Sequence, residues 1–316
     1  MKLPAFVGLL CGVAASAFAQ QPQAPLRRAR LHILCDSGLF ISASRGDAVA
    51  ALRVWGDQIG RKRGFQLDTT VDLVDDPAEF RKRVLAGWAG VIAVDAIHHL
   101  KLADLPAVKP DFSAAREPGA ALPRYILLVR AEAGISSLEA LRGKTVIVHA
   151  STGANLGAVW LDAMLHDGRL GSRERFFHSV ETVTKASAAI LPVFFGKADA
   201  AVVEQTSFDV TREMNPQVGA KLRVLDASPA LTEALICISE KQEYRDEVLA
   251  AMRDLHLDIQ GKQILMVFRF SRLMPLDLPA FERVRELWRK HLALARAPAP
   301  LSSAAGRHEA TGEITQ

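Results

Sequence analysis

Short hydroxyls, carboxylates and one ammonium stand where apolar runs of this 316-residue chain end, and these are the side chains able to do chemistry: Asp36-Ser37-Gly38, Asp95, Ser151-Thr152, Lys185 and Glu204. Ser151 and Thr152 follow Thr145-Val146-Ile147-Val148, a β-branched run of the kind that fills a strand buried on both faces. Beyond them Leu156, Val159, Trp160, Ala163 and Met164 repeat at helical spacing. A strand, a polar turn and a helix start form an anion or polar-ligand cradle, because the first helical turn carries unpaired N–H groups and the positive end of the helix dipole. The same hydroxyls equally serve as a plain helix cap. Lys185 offers a point charge to an anion or is simply solvated. Glu204 can accept from a ligand amine or hydroxyl, and repels a fully ionised phosphate unless a proton is shared; otherwise it is a surface acid. His98-His99 makes a weak metal pair, since adjacent side chains diverge and no second pair has a ligand spacing.

Alternating apolar units position these groups. The first strand, Leu31–Cys35, ends at Asp36-Ser37-Gly38. A helix follows with Ala48, Ala51, Leu52, Trp55 and Ile59 on one face. Phe65–Val74 alternates as a half-exposed strand, Asp76-Pro77 with Glu79 opens the next helix, and Gly90–Val94 is a third strand ending at Asp95. Such βα units imply a parallel sheet with ligand contacts past its carboxyl ends, which places Ser37 and Asp95 at a cleft. Tyr125–Val129 is a further strand, Ser136 with Glu139 forms a capping box, and Gly143 stops that short helix. The pattern then restarts through a helix near Ser187–Phe195, kinked or delayed by Pro192, and strands at Asp199–Val203, Leu222–Leu225 and Ala234–Ile238. Helices dominate from Glu240 onward.

Met1–Ala19 carries one early lysine, an apolar run from Phe6 to Ala15 and Ala17-Phe18-Ala19, the pattern of a secretory signal cleaved after Ala19. The run is too short for a permanent membrane span, and Cys11 follows Leu10 rather than a small residue, against a lipid anchor. With 49% hydrophobic and 23% charged residues the chain is an ordinary globular protein. Its net charge of +4 is spread along the sequence, which argues against nucleic acid as a partner. The two cysteines left after processing, Cys35 and Cys237, sit in apolar runs and are either a disulfide or buried thiols.

The signal, Leu138-x-x-Leu141-x-Gly143-Lys144 and the following strand, Gly196-Lys197-Ala198-Asp199-Ala200-Ala201, and the late Gly261-Lys262-Gln263 phrase together resemble the periplasmic solute-binding proteins of phosphate and phosphonate importers, from about residue 31 to 291. The resemblance implies an α/β, two-lobed type II periplasmic-binding-protein fold with mainly parallel sheets flanked by helices. Lobe I would comprise 31–126 with 227–296 and lobe II 127–226, after a signal (1–19) and a flexible arm (20–30) and before a disordered tail (297–316). Two crossing strands near Val129 and Leu225 would form the hinge. The family's hydroxyl run falls on Ser151, Thr152, Gly153, Ala154 and Asn155, its helix-opening polar pair on Lys185 and Ser187, and its acidic contact on Glu204. The implied function is capture of a small phosphate- or phosphonate-like anion by a monomer without cofactor or metal. Delivery would be to the permease of an ABC importer, or alternatively presentation to a membrane sensor kinase.

A catalytic alternative is remote. Asp36-Ser37-Gly38 resembles the nucleophile turn of exported serine hydrolases, but residue 35 is Cys rather than Gly, and Asp254-Leu255-His256 is one residue short of their Asp-x-x-His. Gly-x-Ser-x-Gly is absent. Processing gives the first test: intact mass of periplasmic material should show an N-terminus at Gln20, and a retained Met1 or a lipid on Cys11 would refute the cleavage assignment.

Overall fold

The computed structural model describes residues 25–40, 44–102, 104–105, 108–116, 122–151 and 153–296. The signal segment, Thr152 and the tail from residue 297 lie outside them. Eleven strands occur among the described residues: β1 (Arg27–Asp36), β2 (Phe65–Val74), β3 (Val91–Asp95), β4 (Pro110–Ala115), β5 (Tyr125–Arg130), β6 (Thr145–His149), β7 (Ser179–Val183), β8 (Ala200–Glu204), β9 (Leu222–Ala227), β10 (Ala234–Ile238) and β11 (Arg272–Pro275). The helices are α1 (Arg45–Lys62), α2 (Pro77–Leu85), α3 (Ala96–Lys101), α4 (Leu156–Asp167), α5 (Arg173–Phe176), α6 (Ala186–Phe194), α7 (Gln205–Met214), α8 (Pro216–Lys221), α9 (Arg245–Arg253), α10 (Ile259–Val267) and α11 (Leu278–Arg296).

The strands form two sheets, β11-β4-β10-β3-β1-β2 and β7-β6-β8-β5-β9. Both are mixed. β1 runs parallel to β2 and β3, whereas β10 is antiparallel to β3 and β4; β6 is parallel to β7 and β8, whereas β5 is antiparallel to β8 and β9. The expected parallel βα units are present, and the antiparallel pairs arise because the chain leaves the first sheet, builds the second and comes back. It enters the second sheet at Tyr125 and leaves after Ala227, where Ser228 N–H donates to Tyr125 O at 2.7 Å and Tyr125 N–H donates to Ser228 Oγ at 2.8 Å. Val129 and Leu225 therefore lie inside the second sheet, with Val129 paired to Arg223 in its ladder.

Local expectations meet three corrections. β1 begins at Arg27, so the last four residues of the expected flexible arm are strand, in register from Arg27 opposite Phe65. The Arg27 guanidinium lies 4.1 Å from the Phe65 ring centroid and 5.0 Å from that of Tyr244, and these cation–π contacts fix the strand's start. The capping box at Ser136 does not form. Glu139–Leu141 is a single 3-10 turn with no side-chain cap, and the partner of Glu139 is Ser137. Asp76 does cap α2, accepting from Ala78 and Glu79 N–H. Pro192 falls in the last turn of α6, and the helix starts at Ala186 rather than later. Cys35 and Cys237 are buried free thiols, and burial pushes Cys35 up to about 12.

One apolar core runs through both sheets, joining Leu34, Ile92 and Val94 of the first to Leu127, Val146 and Val148 of the second. Phe281 and Val284 of α11 belong to it. That helix leaves the first lobe, packs along α4 of the second, and pairs Lys290 Nζ with Asp167 at 2.6 Å. No described helix is long and apolar enough to cross a membrane. Because Phe281 is 2% exposed, Phe281→Ala should cost about 3–5 kcal/mol of unfolding free energy, as for other buried large-to-small changes; equilibrium urea denaturation measures it.

Candidate ligand cleft

The edge of the first sheet that faces the second lobe carries charge at almost every strand. In spatial order it reads Arg116 beyond β4, Glu233 before β10, Asp95 at the end of β3, Asp36 at the end of β1 and Asp75 beyond β2. Glu233 joins the row because β10 is antiparallel: Ala234 pairs with Asp95, and Ala96 N–H donates to Glu233 O at 2.8 Å.

Asp36, Asp95 and His98 form one buried group. Asp95 caps α3, accepting from His98 N–H at 2.7 Å. The His98 ring Nδ1 lies 2.9 Å from Asp36 Oδ2, and Gly38 N–H donates to Asp36 Oδ1 at 2.9 Å. Burial acts to raise Asp36, but the His98 and Gly38 contacts outweigh it and hold the carboxyl below its ordinary range. Asp95 is raised to about 7, first by burial and then by the Asp36 charge beside it. Ser37 turns away from this group, its hydroxyl donating to the Asp75 carboxylate, which Arg45 also binds.

The turn after β6 meets that edge at two points. Ser151 Oγ donates to Glu233 Oε1 at 2.9 Å, beside Tyr125 Oη at 3.0 Å and Arg116 Nε, 2.6 Å from Oε2. Burial would raise the Glu233 carboxyl, yet the Arg116 charge and the two hydroxyls bring it below its usual value. Two residues on, Gly153 N–H donates to Gly38 O at 2.9 Å. A Cβ on Gly153 would stand 3.1 Å from the Gly38 Cα, so two bare backbones form this seam. Asn155 then adopts φ 45° and caps α4 by accepting from Ala158 N–H at 3.3 Å.

Between the seam, α3, α4 and α11 opens a cavity of about 520 Å³. Asp36, Ser37, Gly38, Asp95 and His98 line it from the first lobe, Gly153 to Asn155 and Arg173 from the second. Of the residues expected at a site, Ser37, Asp95 and Asn155 are thus brought together. Ser151 is turned to the inner Glu233 cluster, and Thr152 lies outside the described residues. Lys185 and Ser187 are exposed at the start of α6 and do not line the cavity. Glu204 is not a surface acid: it is 7% exposed, pairs across the ladder with Tyr125, and its charge acts on Arg116.

Arg116, Tyr125, Glu233, Arg173 and His291 are not among the residues expected at a site, and His98 is weighed there only as half of a weak metal pair. Glu233 was detectable in principle as a carboxylate abutting the apolar run Ala234–Ile238, but the strand-end rule searches carboxyl ends and Glu233 sits at the amino end of an antiparallel strand. Arg173 and His291 follow no strand, and nothing local marks them.

Two mixed α/β sheets with a cleft at their facing edges define a type II periplasmic-binding-protein fold. The family model for the periplasmic substrate-binding protein of ABC phosphonate transporters matches residues 38–280, and the chain belongs to that family. XAC2383 from Xanthomonas citri, solved bound to chloride ion, superposes with a TM-score of 0.63 at 15% identity, covering 84% of this chain and 98% of that one. A binding protein component of an ABC phosphonate transporter from Pseudomonas aeruginosa gives 0.56 at 13%, covering 86% and 91%. PhnD1 from Prochlorococcus marinus, in complex with methylphosphonate, gives 0.53 at 12%, covering 83% and 98%. At these identities the structures establish the fold. No curated protein sequence matches the chain. As a member of its family it is a periplasmic binding protein rather than an enzyme, with a small-molecule ligand and a transporter permease as partners.

The raised Asp95 yields a test of the site's electrostatics. An unfolded aspartate titrates near about 3.9. This group's contribution to stability is therefore fully present below about 4 and is lost as pH rises through about 7. Asp95→Asn, which retains an acceptor for the His98 N–H, should remove that decline; urea midpoints measured across the window would reveal it as a flatter profile than the parent's.

Proposed function

We propose that this protein is exported by cleavage after Ala19 and captures a small oxyanion of the phosphonate or phosphate class in the interlobe cavity for delivery to its permease. The observation that carries this reading is the cavity's position, at the strand ends of one lobe and the helix start of the other, bounded by Asp36–Gly38 and Gly153–Asn155. The start of α4, the positive end of its helix dipole, suits an anion. Asp95 lets an oxyanion approach an acidic edge: raised to about 7 and hydrogen-bonded to Asp36, it holds a proton below that pH, so the pair presents one negative charge rather than two. Asn155, whose side-chain oxygen caps α4, offers its amide NH2 as a neighbouring donor. The cavity's volume of about 520 Å³ exceeds what inorganic phosphate fills, which favours an organic phosphonate.

Titration calorimetry with methylphosphonate tests this directly. Affinity should weaken as pH rises past about 7, by up to tenfold per unit, because the second carboxylate then ionises. Asp95→Asn keeps a neutral donor and should retain only the pH dependence of the ligand itself. If neither methylphosphonate nor phosphate shifts the unfolding temperature at millimolar concentration, the oxyanion assignment is wrong.

A further inference from the structure

The cavity is bipolar. Its strand-end side is acidic, whereas its helix side carries Lys101, Arg173 and His291. The Lys101 ammonium lies 5.5 Å from the Trp288 ring centroid, and the stacked ring of His291 lies 4.8 Å from the same indole. Arg173 comes from the second lobe and His291 from α11, so this wall, like the seam, is made by both lobes.

Asp162 organises it. Located within α4 and only 4% exposed, its carboxylate holds Arg173 Nε at 2.6 Å through Oδ1 and His291 Nδ1 at 2.6 Å through Oδ2. The Arg173 contact is an ion pair without hydrogen-bond alignment. One buried carboxylate thereby pins two basic side chains, one per lobe. Engaging a guanidinium at Nε leaves the terminal nitrogens of its planar fork, the part that matches a phosphonate's oxygens in a bidentate way. The Arg173 side chain is 20% exposed and lines the cavity. A merely structural tie would not require the guanidinium to face the cleft.

We propose that Arg173 reads the ligand's oxyanion, that Asp162 is its positioning residue, and that His291 completes the same wall from the opposite lobe. This inference rests on the oxyanion reading above. It places the phosphonate group against the helix side of the cavity, away from Asp36, with Asp95 facing it across the cleft. Within that arrangement the acidic edge acts as a selector, tolerating an anion that shares a proton and rejecting one that lies too deep.

Calorimetry on the mature full chain, with methylphosphonate and inorganic phosphate as probes, decides the matter. Arg173→Gln should weaken both at least tenfold, and Arg173→Lys, which keeps charge but loses the fork, should fall between the two. Asp162→Ala should weaken binding, while Asp162→Asn, keeping an acceptor oxygen, should recover most of it; a purely structural aspartate would change the unfolding temperature and leave affinity alone. His291→Ala should weaken both probes by less than Arg173→Gln does. If the parent binds and both Arg173 variants bind within twofold of it, the assignment to Arg173 is overturned while the oxyanion reading stands. If the parent binds neither probe, both fall together.

Discussion

Glu233 is a carboxylate taken wholly out of water, and the joint between the lobes depends on how it is satisfied. Burying an ion without partners costs several kcal/mol even after relaxation. Here Arg116 supplies the countercharge and Tyr125 and Ser151 supply hydroxyl donors. Those donors come from the chain's exit from the first sheet, its entry into the second and the turn after β6. The pairing is therefore satisfied only when three chain segments and both lobes stand in one arrangement. Removing one partner would leave the others buried and unpaired, which makes the cluster a device for specificity of arrangement more than for net stability.

From that joint the cleft follows. With Ser151 held by Glu233, Gly153 is carried onto Gly38, and this contact of two bare backbones closes the inner end of the interlobe space. On the far side α11 spans the gap, anchored through Phe281 and Val284 and tied to α4 by Lys290–Asp167 and His291–Asp162. The cavity is what remains between. Its acids lie at the strand ends, where the first sheet presents its termini edge-on, and its bases on the helices, Lys101 on α3, Arg173 on α5 and His291 on α11.

Carboxylates at a cleft proposed to take an oxyanion look paradoxical until their protons are considered. Asp36 stays ionised because His98 and Gly38 stabilise its charge. Asp95, beside it and more deeply buried, holds its proton to about neutral pH. Adjacent carboxyls pushed apart in this way give one acceptor and one donor from the same residue type. The cleft is accordingly less negative than its composition suggests.

Local chemistry determined much of this protein before any fold was seen. The β-branched runs at Thr145–Val148 and Ala234–Ile238 are strands because nothing else buries them well, Asp76-Pro77 opens a helix by capping it, and Asp36, Ser37 and Asp95 face a cleft because they end parallel strands. The order of these units, with two family phrases, defined a two-lobed α/β receptor. What the sequence could not decide was pairing across distance. Whether Glu204 is solvated or buried, whether Glu233 reaches Arg116, and whether Asp162 joins Arg173 to His291 all depend on which strand returns antiparallel and where α11 crosses. A residue's type limits its possible partners, but the partner actually reached is set by packing of segments from different elements, and that is a property of the tertiary structure alone.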